Sequence, residues 1–118
     1  MIIVVTGGRH YNDKEQVFKA LNHVHAKRGI SELYHGGCSG ADKLAEEWAL
    51  KNSVPVKCFP ADWKKHGKSA GPVRNIEMIR TAKQSGSAGL VAFPGGRGTQ
   101  NAVTTAKMFK INVWFPVK

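Results

Sequence analysis

Two kinds of segment alternate along the chain. Short apolar runs, typical of buried strands, are separated by longer segments in which apolar side chains recur every three or four positions, as on one face of a helix. The pattern predicts strands at residues 2–5, 33–35, 54–59, 90–93 and 113–115. It predicts helices from near Asn12 to Gly29, over 41–51, from about Pro72 onward, and over 100–109.

The ends and inner faces of these helices can also be predicted. Asn12 and Glu15 form a capping-box pattern at the start of the first helix, and Ser39 and Gly40 lead into the second. The long connection at 60–71 carries no apolar periodicity and is predicted to be a loop. The side chains expected to face the core are Val17, Leu21, Val24, Leu44, Ala45, Trp48, Ala49, Ile76, Ile79 and Ala82.

Strands that alternate with helices predict an α/β fold. We expect a Rossmann-like open parallel sheet of about five strands in the order 3-2-1-4-5, with helices on both faces. The 118 residues are enough for one domain, 1–118, with its own core. In such a sheet, ligands bind at the carboxyl edge, where the strand order reverses between strands one and four.

Composition narrows the class of protein. The formal net charge of +10 attracts phosphates, nucleic acid or other polyanions without choosing among them. Cys38 and Cys58 lack any Cys-x-x-Cys pairing and nothing resembles a signal peptide, which favours reduced thiols and a cytoplasmic location. No apolar run approaches the roughly twenty residues of a membrane span, so no membrane contact is expected.

Four glycine-bearing segments are the strongest functional signal. They are TGGR at 6–9, HGGCSGAD at 35–42, AGPVRN at 70–75 and FPGGRGT at 93–99, and the predicted fold brings them to the carboxyl edge. Glycine-rich turns let backbone N–H groups reach an anion directly. The candidate ligand-binding residues are Gly7, Gly8, Arg9, Gly36, Gly37, Ser39, Gly40, Asp42, Arg74, Asn75, Pro94, Gly95, Gly96, Gly98 and Thr99.

Individual residues in these segments have alternative interpretations. FPGGRGT runs directly into a helix whose first amides suit a phosphate, with the Thr99 hydroxyl as a further donor. Arg9 is either a phosphate or carboxylate ligand or a solvated loop cation. Asp42 either accepts hydrogen bonds from a ribose or base, or stabilises the first turn of its own helix.

The long connection offers further candidates. Its cations form either a mobile basic lid over a bound anion or a solvated charge run. These cations are Lys64, Lys65, His66 and Lys68. His10, His35 and His66 are either acid–base groups at the ligand edge or polar rim residues. Trp63, in the same connection, is left open between packing and stacking on a base.

Several familiar sites are absent from the sequence. Gly67, Lys68 and Ser69 resemble the end of a Walker A loop, but Asp62 occupies the position of its first glycine. No intact G-x-G-x-x-G follows the first strand. His23 and His25 point to different sides of a helix, so no metal site is expected there.

Taken together, the motifs resemble those of the SLOG superfamily, the Rossmann-like group that joins Smf/DprA proteins to the Lonely Guy phosphoribohydrolases. The similarity is greatest to its small YpsA-related members, and it extends over almost the whole chain. It rests on VVTGGRHYND, HGGCSGADKLAEEWA, AGPVRNIEM and FPGGRGTQNA in that order.

The resemblance implies that a nucleotide or a nucleotide-derived ligand binds across the carboxyl edge, often in a homodimer, with no certain cofactor. Lonely Guy enzymes hold a phosphate on a PGGxGTxxE loop and use its glutamate with an arginine of an R-x-x-x-M helix. Arg74 and Met78 match that helix, but Ala102 occupies the glutamate position. A methyl group cannot move a proton, so a replacement acid would have to be Asp42 or Glu77.

Three functions therefore stay open. The preferred one is a nucleotide-binding sensor, sequestering or regulatory domain. The second is a hydrolase acting on an N-glycosidic or phosphate bond, with Arg74, Asp42 and Glu77 as candidate catalytic residues. The third is a DNA-binding module like Smf/DprA, which the absence of any recognisable nucleic-acid-binding motif makes less favoured.

Overall fold

A computed structural model describes residues 1–37 and 39–117 of the chain. In these residues, strands and helices alternate. The strands are β1 Ile2–Thr6, β2 Glu32–His35, β3 Val56–Cys58, β4 Ala88–Ala92 and β5 Asn112–Trp114. The helices are α1 Lys14–Arg28, α2 Ala41–Lys51, α3 Trp63–His66, α4 Ala70–Gln84 and α5 Arg97–Met108, with a 3-10 turn at Gly67–Ser69 between α3 and α4.

The five strands form one parallel sheet. Their order is β3-β2-β1-β4-β5, so the predicted order 3-2-1-4-5 and the α/β fold class are confirmed. β1 lies at the centre, with Val4 paired to Tyr34 of β2 on one side and to Leu90 of β4 on the other. The chain changes direction across the sheet between β1 and β4, which opens a crevice at their carboxyl ends.

Each face of the sheet has its own core because alternate strand residues point to opposite sides. Ile3, Val5 and Leu33 pack with side chains of α1 and α2, including the fully buried Trp48. Ile2, Val4 and Leu90 pack on the other face with side chains of α4 and α5. Helices therefore cover both faces, as the sequence predicts.

The caps of two helices differ from the prediction, and α5 begins at Arg97 instead of at residue 100. The cap of α1 is Asp13 rather than Asn12, and its side chain accepts a hydrogen bond from the Gln16 amide at 3.2 Å. α2 begins at Ala41 as predicted, but its cap residue is Gly40. The Ser39 hydroxyl instead donates to the carbonyl of Arg9 at 2.9 Å.

The connection predicted to be a loop over 60–71 is largely helical. α3 and the 3-10 turn follow one another directly into α4, which begins at Ala70. Asp62 caps α3 by accepting a hydrogen bond from the Lys65 amide at 3.1 Å. A cap followed by lysines is enough for one helical turn without any apolar periodicity, which explains why the pattern missed it.

Two further predictions were wrong in detail. β3 is shorter than 54–59, partly because the Val54 amide bonds to the Ala49 carbonyl at the end of α2. In α4, Ile76 is 38% exposed and Asn75 and Met78 take the inward positions with Ile79. Leu44 of α2 is half-buried and packs against the core, the side that the sequence predicts.

Within residues 1–37 and 39–117, the structure contains no helix with both the length and the apolar character needed to cross a membrane.

Candidate functional site

The four glycine-bearing segments meet around one cleft at the carboxyl edge of the sheet. Its volume is about 620 Å³, within the range of small-molecule sites. The floor is formed by the end of β1 and the walls by the segments that follow the strands. The lining residues are Val5, Thr6, Gly7, Gly8, Arg9, Gly36, Asp42, Trp63, Lys68, Gly71, Pro72, Arg74, Asn75, Met78, Gly96, Arg97, Gly98, Thr99 and Asn101.

The loop after β1, residues 7–10, is joined to the loop after β4, residues 93–96. The Gly8 amide donates to the carbonyl of Pro94 at 2.8 Å. A Cβ at Gly7 would lie 2.5 Å from the Cβ of Ala41 and 3.0 Å from that of Phe93. The absence of a side chain at Gly7 therefore lets the loop after β1 pack closely on both α2 and the loop after β4.

The loop after β1 is also joined to the loop between β2 and α2. The carbonyl of Gly8 accepts a hydrogen bond from the Ala41 amide at 3.2 Å, and the carbonyl of Arg9 accepts from the Ser39 hydroxyl at 2.9 Å. Gly40 has a φ of +71°, and a Cβ there would collide with the backbone of Gly8 and Arg9. Gly40 and Ser39 thus serve the loop contact.

Arg74 of α4 joins the loop after β2 to the far wall. Its Nη1 donates to the carbonyl of Gly36 at 2.7 Å, and a side chain at Gly36 would run into the guanidinium. The same Nη1 lies 3.4 Å from the carbonyl of Phe59. The Nε of Arg74 donates to Oδ1 of Asn75 at 2.8 Å, which fixes the side chain along the cleft wall.

Asn75 completes the circuit by joining α4 to α5. It is only 3% exposed, and its Nδ2 donates to Oδ1 of Asn101 at 2.9 Å and to the carbonyl of Gly98 at 3.4 Å. Hydrogen bonds therefore run from the loop after β4 through the first two loops and α4 back to the start of α5. We call this closed ring of hydrogen bonds around the cleft the frame.

The first turn of α5 opens into this cleft. Gly96 is its cap residue and supplies no side chain, and the first bond back along the helix is from the Gln100 amide to the Gly96 carbonyl at 3.0 Å. The amides of Arg97, Gly98 and Thr99 precede that bond and have no acceptor within the helix. A Cβ at Gly96 or Gly98 would meet no atom within 4 Å. Packing in the described residues therefore does not require glycine at either position.

Positive charge dominates the cleft. Arg9, Lys68, Arg74 and Arg97 line it, whereas Asp42 is the single carboxylate among the lining residues that the structure describes. The partial positive charge of the α5 N-terminus adds to these cations. The arrangement suits an anion with several oxygen acceptors, such as a phosphate.

Comparison with known proteins identifies the family of the chain. The family model described as "YspA, cpYpsA-related SLOG family" matches residues 1–66. The chain belongs to this SLOG family. A relative of similar length is the Gene 61 protein of Mycobacterium phage D29, which is 36% identical over 119 residues, covering 94% of this chain and 92% of the phage protein.

A solved structure shows the same fold as this SLOG protein. The X-ray structure of TM1055 superposes with a TM-score of 0.71 at 16% identity, covering 95% of this chain and 71% of that one. The predicted SLOG resemblance is confirmed by the family match, and the Rossmann-like fold by the structural one.

Several predicted site residues of the SLOG chain support the frame rather than line the cleft. Gly37, Ser39 and Gly40 lie in the loop before α2 outside the lining, and Pro94 and Gly95 border a second, shallower depression on the other side of their loop. Cys38, in the same motif, lies outside the described residues.

The candidate acids differ in their positions. Asp42 is 6% exposed, lines the cleft and accepts a hydrogen bond from the Gly36 amide at 3.3 Å through Oδ2. Its place in the first turn of α2 matches the structural interpretation as well. Glu77 is exposed and does not line the cleft, and Ala102 is buried in the core.

The candidate histidines lie away from the lining. His35 is buried, with Nδ1 accepting from the Gly37 amide at 2.9 Å and Nε2 lying 3.2 Å from Oε1 of Glu46. These contacts give it a structural role in the loop after β2. His10 is exposed and His66 half-buried, and neither lines the cleft.

Sequence reasoning missed part of the lining. Thr6 ends β1, and Gly71 and Pro72 lie in the first turn of α4. They belong to the TGGR and AGPVRN segments but were not among the candidate ligand-binding residues. Asn101 lies one turn into α5 beside Asn75. Asn101 lies four residues after Arg97 and therefore on the same face of α5. The sequence does not show that this face borders the cleft, because that depends on how α4 packs against α5.

Proposed function

We propose that this SLOG protein binds a nucleotide or nucleotide-derived ligand in the cleft and acts as a sensor, sequestering or regulatory domain. The family and the Rossmann-like fold are consistent with a nucleotide-related role. The observation that supports the proposal most is the start of α5. Amides without helix acceptors line an open, cationic cleft at two glycines that side-chain packing does not require.

The glycines at 96 and 98 support close approach of an anion. Gly98 lies within α5, where alanine is the better helix former by about 0.5–1 kcal/mol, and no neighbouring atom excludes a methyl group. Contact between a ligand oxygen and the backbone would explain why glycine occurs at this helix position. Arg97 and Thr99, which also line the cleft, offer side-chain donors to the same ligand.

Binding is proposed ahead of hydrolysis. The position that holds the glutamate in Lonely Guy enzymes is the buried Ala102, and Glu77 lies outside the cleft. Asp42 lines the cleft, but its position in the first turn of α2 and its contact with the Gly36 amide already give it a role in the frame. Binding a phosphate group needs only the amides and cations described above.

The proposal is tested by calorimetric titration with nucleoside monophosphates, dinucleotides, ADP-ribose and cyclic nucleotides, using the wild type and Gly98→Asp. The new carboxylate would lie where the phosphate rests, so we expect affinity to fall at least about tenfold. Stability should not fall, because an acid in the first turn of a helix is favourable by about 0.3–1 kcal/mol.

The matched control is Gln100→Asp. It adds the same charge two residues later, at a position that borders the second depression instead of the cleft. Its effect on affinity should be no more than a few-fold. Equal losses from both variants would mean that net charge, not the first turn of α5, governs binding. No binding of any of these compounds at millimolar concentration would refute the proposal.

A further inference from the structure

Trp63 occupies an unusual position among the three tryptophans. Trp48 is fully buried, and its Nε1–H donates a hydrogen bond to Oδ1 of Asn22 at 2.8 Å. Trp114 is 39% exposed and its ring lies 5.5 Å from that of His23. Trp63 is 58% exposed although it lines the cleft, so a large apolar ring faces the space where a ligand would lie.

The surroundings of Trp63 hold it at that place. It is the first residue of α3, whose cap Asp62 accepts a hydrogen bond from the Lys65 amide, and its carbonyl accepts from the Gly67 amide. The ring edge reaches Gly71, where a Cβ would lie 3.8 Å from the Trp63 Cη2. The backbone is thus fixed while the ring remains open to the cleft.

The cleft therefore has two chemically different walls. The wall formed by α5 offers amides and the side chains of Arg97 and Thr99, whereas the wall formed by α3 and the start of α4 offers the Trp63 ring beside Lys68 and Pro72. A ligand that fits both walls carries an anionic group and a flat ring. A phosphate without a ring would leave the indole exposed.

We infer that Trp63 is the stacking surface for the base of a nucleoside phosphate whose phosphate lies on the first turn of α5. This inference rests on the function proposed above. It assigns a binding surface to the base, the part of the ligand that the anion site does not contact. Stacking accepts any base, because every base presents a π-face. Trp63 would therefore contribute affinity for nucleosides without choosing among the four bases.

The experiment compares Trp63→Leu with the wild type, using AMP, GMP, CMP, UMP and ribose 5-phosphate as probes. Loss of a stacked base weakens binding about 5- to 150-fold. We expect this loss for the nucleotides that bind the wild type, with affinity for ribose 5-phosphate changed less than about twofold. Trp63→Phe, which keeps a π-face, should recover most of the loss.

Two further variants separate this inference from the proposed function. Gly98→Asp should weaken the binding of nucleotides and of ribose 5-phosphate alike, since both carry the phosphate. Trp114→Leu, which removes another partly exposed tryptophan outside the cleft lining, should leave every affinity unchanged. Circular dichroism and thermal unfolding establish that each variant is folded.

Unchanged nucleotide affinity in a folded Trp63→Leu protein would overturn the stacking inference, while sensitivity to Gly98→Asp would leave the proposed function standing. Equal losses for nucleotides and ribose 5-phosphate in Trp63→Leu would also overturn it, because the ring would then shape the cleft instead of binding a base. If the wild type binds none of these probes, the proposed function fails for them and the stacking inference fails with it.

Discussion

At the scale of single residues, Asn75 shows how few side chains hold the cleft together. Its amide nitrogen contacts both Asn101 and the Gly98 carbonyl, and its oxygen accepts from Arg74. One buried side chain thus connects the arginine that reaches the loop after β2 with the helix turn proposed to bind the phosphate. Positioning that turn uses both a donor and an acceptor, and the amide side chain of Asn75 supplies both.

Asn75→Asp tests this role. The substitution keeps the shape but replaces the donor with an acceptor, which would then face Oδ1 of Asn101 and the carbonyl of Gly98. We expect the free energy of unfolding to fall by about 1–3 kcal/mol, measured by urea denaturation. Asn101→Asp is the control. The side-chain oxygen of Asn101 already acts as the acceptor, so this substitution should lower the free energy of unfolding by less than about 1 kcal/mol. Equal losses would contradict the assigned donor and acceptor roles.

Residue types that mark the cleft could be predicted from the sequence, but their contacts could not. Gly96, Gly98 and Arg74 stand in recognisable motifs, and the structure brings them to one cleft. The contact of Arg74 with Gly36 joins residues 38 positions apart, and that of Asn75 with Asn101 joins residues 26 apart. Such pairings depend on how two crossovers pack, which local pattern does not contain.

At the scale of elements, the approach of the loop before α2 to the loop after β1 depends on Gly40. Its φ of +71° is rarely adopted by other residues, and a Cβ would meet the backbone carbonyl carbon of Arg9 at 2.6 Å. A collision with backbone cannot be relieved by turning a side chain. The two loops would have to separate, and α2 begins immediately after Gly40.

Gly40→Ala is therefore expected to lower the free energy of unfolding by about 2–5 kcal/mol, combining backbone strain and overpacking. Gly29→Ala is the matched control. Gly29 has a φ of +70° but no atom within 4 Å of the added Cβ, so strain alone should cost about 1–3 kcal/mol. Chemical denaturation of both variants gives the difference. A loss from Gly40→Ala no greater than that from Gly29→Ala would show that the loops are not in tight contact.

The order of elements could be predicted because hydrophobic periodicity is a property of each segment alone. β1, β4 and α2 lie close to their predicted bounds. The segment at 60–71 could not be assigned because its helical turns present little apolar surface, and Trp63, its largest apolar residue, remains 58% exposed. A tryptophan that lines the cleft has no partner within the segment that would produce a periodic pattern.

At the scale of the whole molecule, the net charge of +10 and the local charge of the cleft act together. The excess of lysine and arginine raises the concentration of anions near the protein, an effect that falls as salt screens it. The frame of hydrogen bonds then determines where an anion can reach backbone amides. In the function proposed above, charge would bring the ligand to the molecule, and the cleft at the carboxyl edge would give it a defined orientation.

The most direct test of this account is an amide-resolved NMR titration of ¹⁵N-labelled protein with a nucleoside monophosphate. The account predicts that the amides of Arg97, Gly98 and Thr99 shift most, since they have no acceptor within α5 and would donate to the phosphate. Largest shifts on the outer surfaces of α1 or β5, or no shift at any amide up to millimolar ligand, would contradict it.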